Sequence, residues 1–352
     1  MQWPILLPTR RSGKFAALLL IVLGLAPTSR AETETQEFMV PASDSGIQLY
    51  VRNKHPAGTE TFSSDRILIY VHGATFPSET MFDLPVGGVS MMDVLAARGW
   101  DVWLLDVRGY GRSTRPPEMS KPATENKPIV DTATAVCDVG SVIEFVMGQR
   151  HVAKVNLMGW SWGTSIMGLY TTTHNANVGR LVLYAPGWLS RNKVPPDAPS
   201  LGAYRTVTRE AVHNRWLTGV PTDKKADLIP PGWFDMFADA TFATDSEGAK
   251  RNPPVLRAPN GVAQDSRDFW MNERPLYQPS DITVPTLLIH AEWDADLPTY
   301  HTAAYFAELK NTPYKRWVEL GEGTHFVMLE KNRMQFIHEI AMFLEENPQQ
   351  MN

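Results

Sequence analysis

Val155-Asn156-Leu157-Met158-Gly159-Trp160-Ser161-Trp162-Gly163 is the stretch that decides the fold. The apolar run Val155–Met158 reads as a buried strand, and the residues from Trp162 to about His174 read as a helix. Between them a serine stands in a G-x-S-x-G frame, the pattern of a sharp strand-to-helix turn that projects a hydroxyl from the sheet edge. Crowding at such a turn favours glycine two positions either side, where Gly159 and Gly163 stand. The helix N-terminus beneath the serine adds a positive dipole and free N–H groups. The pattern alone arises by chance in many chains; its strand and helix flanks make it specific here.

A serine hydroxyl is a poor nucleophile without a base, and the base needs an orienting partner. His325 lies in Gly323-Thr324-His325-Phe326, after the strand Arg316–Leu320 and before a C-terminal helix. Asp294 lies in His290-Ala291-Glu292-Trp293-Asp294, after the strand Thr286–His290, and Asp296 is the other carboxylate within reach. Of the two, Asp294 stands closer to the strand end. Ser161, Asp294 and His325 thus fall in the order Ser…Asp…His, each at the C-terminal end of its own strand. In a doubly wound sheet those ends share one edge. Acyl transfer also needs donors for a developing oxyanion. One is the Trp162 N–H. The other is the Ala74 N–H in His72-Gly73-Ala74-Thr75, where Gly73 allows a tight turn after the strand Ile67–Val71.

The rest of the chain repeats the strand-helix rhythm. Short runs at Ile67–Val71, Val102–Val107, Val155–Met158, Leu181–Ala185, Thr286–His290 and Arg316–Leu320 read as parallel strands buried on both faces. Helical stripes lie at Met91–Arg98, Ala133–Met147 and Lys331–Glu346. Ser43-Asp44-Ser45-Gly46, between Glu37–Val40 and Gln48–Arg52, reads as the turn of an antiparallel hairpin. The alternation predicts an α/β fold: a doubly wound, mostly parallel sheet with helices on both faces. Only the 95 residues Leu189–Thr283 break it. They are rich in Pro and large aromatics and too long for a bare loop. They predict an inserted, mainly helical cap over the C-terminal edge of the sheet.

Residues 1–31 read as a secretory leader. Arg10, Arg11 and Lys14 precede a twelve-residue apolar run, Phe15–Ala26, and small residues stand three and one positions before Glu32. Twelve residues fall short of the roughly 20 that span a bilayer, so no stable membrane anchor is expected after cleavage. Thr9-Arg10-Arg11 raises twin-arginine export, although Gly13 stands where that signal prefers a bulky apolar residue. The mature chain, residues 32–352, is expected in the periplasm or the medium as one domain with its insertion. The net charge of −5 becomes more negative once the four basic residues of the leader are gone, which argues against nucleic acid as a partner. Cys137, the only cysteine, allows no internal disulfide and no Cys-based metal site. With 43% hydrophobic and 20% charged residues the composition is globular.

Together these motifs resemble the α/β-hydrolase family over nearly all of residues 37–346. His72-Gly73 resembles the family's oxyanion loop, and Asp106-Val107-Arg108-Gly109-Tyr110-Gly111-Arg112-Ser113 its D-x-R-G-x-G-x-S segment. Gly159–Gly163 matches its nucleophile elbow, Asp294 with Pro298 its acid turn, and Gly323-Thr324-His325 its histidine loop. The family inserts its cap after the sixth strand, where Leu189–Thr283 sits. The resemblance implies the fold and a triad of Ser161, His325 and Asp294, but no particular substrate, because the fold hosts many activities. Epoxide hydrolases and haloalkane dehalogenases look similar in layout but place Asp where Ser161 stands. Proline iminopeptidases carry a glycine-proline-rich oxyanion loop that His72-Gly73-Ala74-Thr75 lacks. Cofactor-free haloperoxidase activity stays compatible with such a triad as an incidental reaction.

The expected activity is hydrolysis of a carboxylic ester or lactone through an acyl-enzyme on Ser161. The same triad would also serve another bond, such as the C–C bond of a diketone or an amide. A non-catalytic, ligand-binding member is the third reading. Trp188, Trp233 and Trp270 are expected to line an apolar cavity for a small hydrophobic or aromatic substrate. Trp162 is placed either in that wall or in the core, and Trp160 in the core. No metal or cofactor is expected, since His55, His151, His174, His213, His301 and His338 show no ligand spacing. Arg108 is expected to structure the loop after its strand.

Overall fold

The structure, a computed structural model, describes Met1 and residues 32–346, so the leader expected ahead of Glu32 lies outside the described residues. Ten strands form among the described residues: β1 (Thr33–Pro41), β2 (Gln48–Pro56), β3 (Ile67–Val71), β4 (Asp101–Leu105), β5 (Val155–Trp160), β6 (Val178–Tyr184), β7 (Tyr204–Thr208), β8 (Val255–Pro259), β9 (Thr286–Ala291) and β10 (Lys315–Leu320). Eight of them pair into one sheet in the order β1-β2-β4-β3-β5-β6-β9-β10. The pairs β1–β2 and β2–β4 are antiparallel. The others are parallel.

Burial explains the continuous apolar runs. In β3, Leu68 and Tyr70 enter one core layer, while Ile67, Ile69 and Val71 enter the other. In β5, Met158 and Trp160 point one way and Val155 and Leu157 the other. Successive side chains of a strand alternate between faces, so a strand covered on both faces has no position for a solvated residue.

Helices supply the cover. Three of them, α1 (Ser78–Phe82), α2 (Met91–Ala97) and α3 (Thr132–Arg150), lie between β3 and β5, and α4 (Trp162–Thr173) joins β5 to β6. Between β6 and β9 come α5 (Arg209–Trp216), α6 (Lys225–Leu228), α7 (Trp233–Ala243), α8 (Ser246–Ala249) and α9 (Gly261–Asp268). Two more, α10 (Tyr300–Glu308) and α11 (Arg333–Glu345), flank β10. Start signals are local. The Ser90 hydroxyl accepts from Asp93 N–H at the head of α2, and Asp131 accepts from Thr134 N–H at the head of α3.

The insertion differs from a mainly helical segment in one respect. β7 and β8 pair antiparallel inside it, Tyr204 opposite Pro259 and Thr208 opposite Val255. Each is only five residues long, with an arginine inside it (Arg205, Arg257), and β8 ends on a proline. Neither shows the apolar run or clean alternation that marks a strand. Helix α10 is likewise absent from the sequence reading, because its buried stripe is His301, Thr302 and Tyr305, two of them polar.

Arg108 holds the segment after β4. Its guanidinium lies 2.5 Å from Asp138 of α3 and 2.5 Å from Asp44 of the β1–β2 turn. Its N–H also donates to Asp138 at 3.1 Å. Burial pushes the Asp138 carboxyl up from its ordinary value, against the pull of Arg108. Arg108→Met would leave that carboxylate buried without its counter-ion, a change that costs about 3–5 kcal/mol. Urea denaturation at pH 7 reads the loss, and a variant as stable as wild type would refute it.

Candidate active site

β5 passes into α4 through Ser161 alone, at φ 55° and ψ −121°. A residue with a side chain held there is strained by on the order of 1–3 kcal/mol. Two glycines make the turn possible. A Cβ at Gly159 would stand 2.2 Å from the Gly163 carbonyl oxygen, and one at Gly163 would stand 2.6 Å from the Val71 oxygen. Gly73 lies against the turn as well, since its Cβ would stand 3.0 Å from Ser161 Cβ. The loop after β3 therefore lies directly against the serine. Ser161 N–H is committed to the Tyr184 carbonyl at 2.9 Å. The N–H groups of Ala74 and Trp162 donate to no backbone carbonyl outside helices and strands among the described residues.

His72, beside that loop, is a positioning group. Its Nδ1–H donates to the Gly73 carbonyl at 2.6 Å, and its Nε2 accepts the Val107 N–H at 3.1 Å. Burial pulls its pKa down to about 4, so the ring is neutral, as those two bonds require.

His325 and Asp294 meet at the ends of β10 and β9. His325 Nδ1 lies 2.7 Å from Asp294 Oδ2, with both side chains buried. Asp294 Oδ1 accepts the N–H groups of Asp296 and Leu297, each at 2.9 Å. These contacts separate the two carboxylates. Asp294 takes Nδ1, and Asp296 stands on the opposite side of the ring, 3.9 Å from Nε2. His325 Nε2 itself is buried and has no hydrogen-bond partner among the described residues. Trp160 packs in the core and its indole N–H donates to the His325 carbonyl at 3.0 Å.

Glu330 anchors the other side of the histidine loop. Its carboxyl accepts the Thr324 N–H at 3.0 Å, the Trp216 indole N–H at 2.8 Å and the Thr324 hydroxyl. Nothing in the sequence marks it beyond its place five residues after His325.

A cavity of about 520 Å³ opens on Ser161. Ala74, Trp162, Trp188 and Trp270 line it, together with Asp296 and His301. Trp162 is also core. It is 3% exposed, and its indole N–H donates to the Thr132 hydroxyl at 2.9 Å. The sequence misses His301, whose Nδ1 accepts the Trp188 N–H at 3.2 Å and whose pKa burial lowers to about 4. Trp233 is not among the lining residues, and its expected place in the substrate wall is corrected. It begins α7 and lies over Gly87, where a Cβ would stand 2.8 Å from its ring, with the Arg333 guanidinium 5.4 Å from the ring centre. Phe237, one turn on, enters the core, and this packing carries Trp233 onto the turn before α2.

Asp294, Asp296 and His325 offer ligand atoms within 4.8 Å of one another. His325 Nδ1 and both Asp294 oxygens are engaged in the bonds above.

A serine strained between strand and helix, with a histidine–carboxylate pair at the same sheet edge, agrees with a family model described as alpha/beta hydrolase fold, which matches residues 66–332. The chain belongs to the α/β-hydrolase family. Among solved structures it is similar to a serine hydrolase involved in carbazole degradation, at 18% identity and a TM-score of 0.59, covering 88% of this chain and 99% of that one. It is similar to an esterase from Exiguobacterium antarcticum, at 18% identity and a TM-score of 0.56, covering 88% of this chain and 100% of that one. A 2-hydroxy-6-oxo-6-phenylhexa-2,4-dienoate hydrolase from Rhodococcus is similar at 14% identity and a TM-score of 0.57, covering 89% of this chain and 99% of that one. No curated protein sequence matches. At these identities the likeness is one of hydrolase fold.

Burial raises the Glu330 carboxyl from its ordinary 4.5 to about 7. The folded hydrolase then keeps a proton that the unfolded chain releases, so this group favours folding below about 4.5 and loses that contribution as pH rises to about 7. Glu330→Gln removes the titration. Across that window the variant is expected to gain stability relative to wild type, as read by denaturant unfolding at each pH. A difference independent of pH would refute the assignment.

Proposed function

We propose that this α/β hydrolase is an exported serine hydrolase that cleaves a carboxylic ester or lactone of a hydrophobic or aromatic substrate. The observation that carries the reading is the 2.7 Å contact of His325 Nδ1 with buried Asp294, which leaves Nε2 without a partner. Ser161, in a strained turn, opens on the same cavity as Asp296, whose Oδ2 lies 3.9 Å from that Nε2. As Ser161 Oγ attacks the carbonyl, His325 takes its proton on Nε2, while Asp294 holds the ring in the Nδ1–H tautomer and balances the imidazolium. The N–H groups of Ala74 and Trp162 stabilise the tetrahedral oxyanion, a donor of this kind being worth on the order of 10²–10³ in turnover. His325 then protonates the leaving alkoxide and activates water against the acyl-enzyme.

The cavity supports a small substrate, since its 520 Å³ lies within the roughly 300–1,000 Å³ of typical ligand sites. Trp188, Trp270, Val262 and Leu297 give its wall an apolar character suited to a hydrophobic or aromatic group. Neither a metal nor an organic cofactor enters this chemistry. Residues 1–31 direct the chain to the periplasm or the medium, and the mass of the exported protein is expected to begin at Glu32.

The test is hydrolysis of nitrophenyl esters of increasing acyl length by residues 32–352. Ser161→Ala is expected to lower turnover by roughly 10⁶, with the melting temperature nearly unchanged. Turnover that survives in the variant would overturn the role of Ser161. A folded wild-type protein inert on every ester would shift the reading to another bond, the C–C bond of a diketone or an amide.

A further inference from the structure

The β7–α5 segment of the insertion reaches all three loops of the site. Arg205 donates to the Ala74 carbonyl and, at 3.1 Å, to the Thr75 hydroxyl. Trp216 donates to Glu330, which holds Thr324. Between them in the chain, Arg215 grips Asp296, its Nε at 2.9 Å and its terminal nitrogen at 2.8 Å from Oδ2. That same Oδ2 is the atom 3.9 Å from His325 Nε2.

We propose that Asp296 and Arg215 together set the basicity of His325: Asp296 is a second carboxylate facing Nε2, and Arg215 is the counter-charge that limits its pull. The proposal rests on the reading of His325 as general base. An imidazolium formed at His325 is met by Asp294 at Nδ1 and by Asp296 near Nε2. A negative charge at about 4 Å favours the protonated ring. Arg215 opposes it. It also stands over Phe76 and Phe326 at 6.0 and 5.7 Å, which keeps the cation beside the site.

Glu330 lies behind Thr324, Tyr184 donates its hydroxyl to the Thr324 carbonyl at 2.5 Å, and His301 is a neutral acceptor in the cavity wall. Two further insertion cations stand near the site: Arg205, held on the loop after β3, and Arg191, which lines the cavity and lies over the Tyr300 ring at 4.2 Å. Asp296 responds to its neighbours in turn. Burial pushes its carboxyl up, but the His325 and Arg215 charges outweigh that and hold it below the ordinary value. The side chains of Arg215 and Asp296 are 36% and 30% exposed, and pairs this wet contribute little to stability. The consequence of this pair is therefore local, at the base.

Asp296 and Arg215 are positioning residues under this proposal, and their signature is a pair of opposite shifts. Arg215→Gln leaves Asp296 uncompensated and moves the acid limb of the activity profile to higher pH. Asp296→Asn leaves Arg215 beside the ring and moves it to lower pH. Each shift is expected to be about half a unit to one unit. The double variant returns the limb close to wild type, and Arg215→Lys, which keeps the charge, leaves it in place. The limb is read from the rate at which an alkyl fluorophosphonate labels Ser161 at each pH, and from kcat/KM for a nitrophenyl ester. Lower rates with an unmoved limb, or limbs that move in the same direction, would overturn the proposal while leaving the serine hydrolase intact. A wild-type protein that the phosphonate does not label at Ser161 would overturn both.

Discussion

Ser161 has to turn β5 into α4 with no linking residue, and its positive φ is the constraint around which the neighbouring loops are arranged. The turn closes because Gly159 and Gly163 bring backbone where a side chain would collide, with Gly73 packed close beside it. It also sets the faces of its two tryptophans. Trp160, still in the strand, points into one core layer and fixes the carbonyl of His325. Trp162, already in the helix, enters the opposite layer and bonds Thr132 at the head of α3. One strained residue thereby locks the histidine loop on one side of the sheet and a covering helix on the other.

The insertion is joined to that arrangement by polar contacts from a short stretch of chain. Arg205 deserves note for its chemistry: among the described residues it bonds only carbonyl, hydroxyl and amide oxygens, and it has no carboxylate partner. Burial lowers its pKa, the cost of desolvating a charge without a counter-ion. From the other end of the insertion, Asp265 of α9 accepts both the N–H and the hydroxyl of Thr132, the residue that carries the Trp162 indole. The insertion thus bonds the loop after β3 and the turn after β9 directly, and reaches the elbow and the loop of His325 through Thr132 and Glu330.

The sheet was legible because burial on both faces removes polar residues from its strands, leaving runs such as Ile67–Val71 that need no alternation to be seen. The places of Ser161, Asp294 and His325 after β5, β9 and β10 were legible because each follows such a run, and a parallel sheet puts those ends on one edge. Trp233 was misplaced because aromatic content shows that a segment must be buried but not against what; α7 turned Phe237 inward and took Trp233 with it. β7 and β8 were hidden by arginines that face polar partners in the folded chain. Glu330, His72 and Arg205 lay beyond reach for a related reason. Each has a partner brought close only by the fold, Val107 N–H for His72, the Trp216 indole for Glu330 and the Ala74 carbonyl for Arg205, and no spacing in the sequence records such a meeting.

Those backbone groups pose a general problem. A site built on loops buries N–H groups that no helix or sheet ladder can satisfy. In this chain, buried carboxylates supply many of the missing acceptors. Asp106 takes the N–H groups of Ser78 and Arg112, Asp138 that of Arg108, Asp245 that of Arg257, Asp265 that of Thr132, and Glu330 that of Thr324. Asp294 does the same for Asp296 and Leu297. Burial and acidity therefore do not single out Asp294, since its neighbours share both. What sets it apart is the division between its oxygens: Oδ1 holds its own loop through two N–H groups, which leaves Oδ2 for His325 Nδ1. A carboxylate spent wholly on backbone, as Asp106 is, could not orient the imidazole. One bonded only to the imidazole would have no loop to fix its direction.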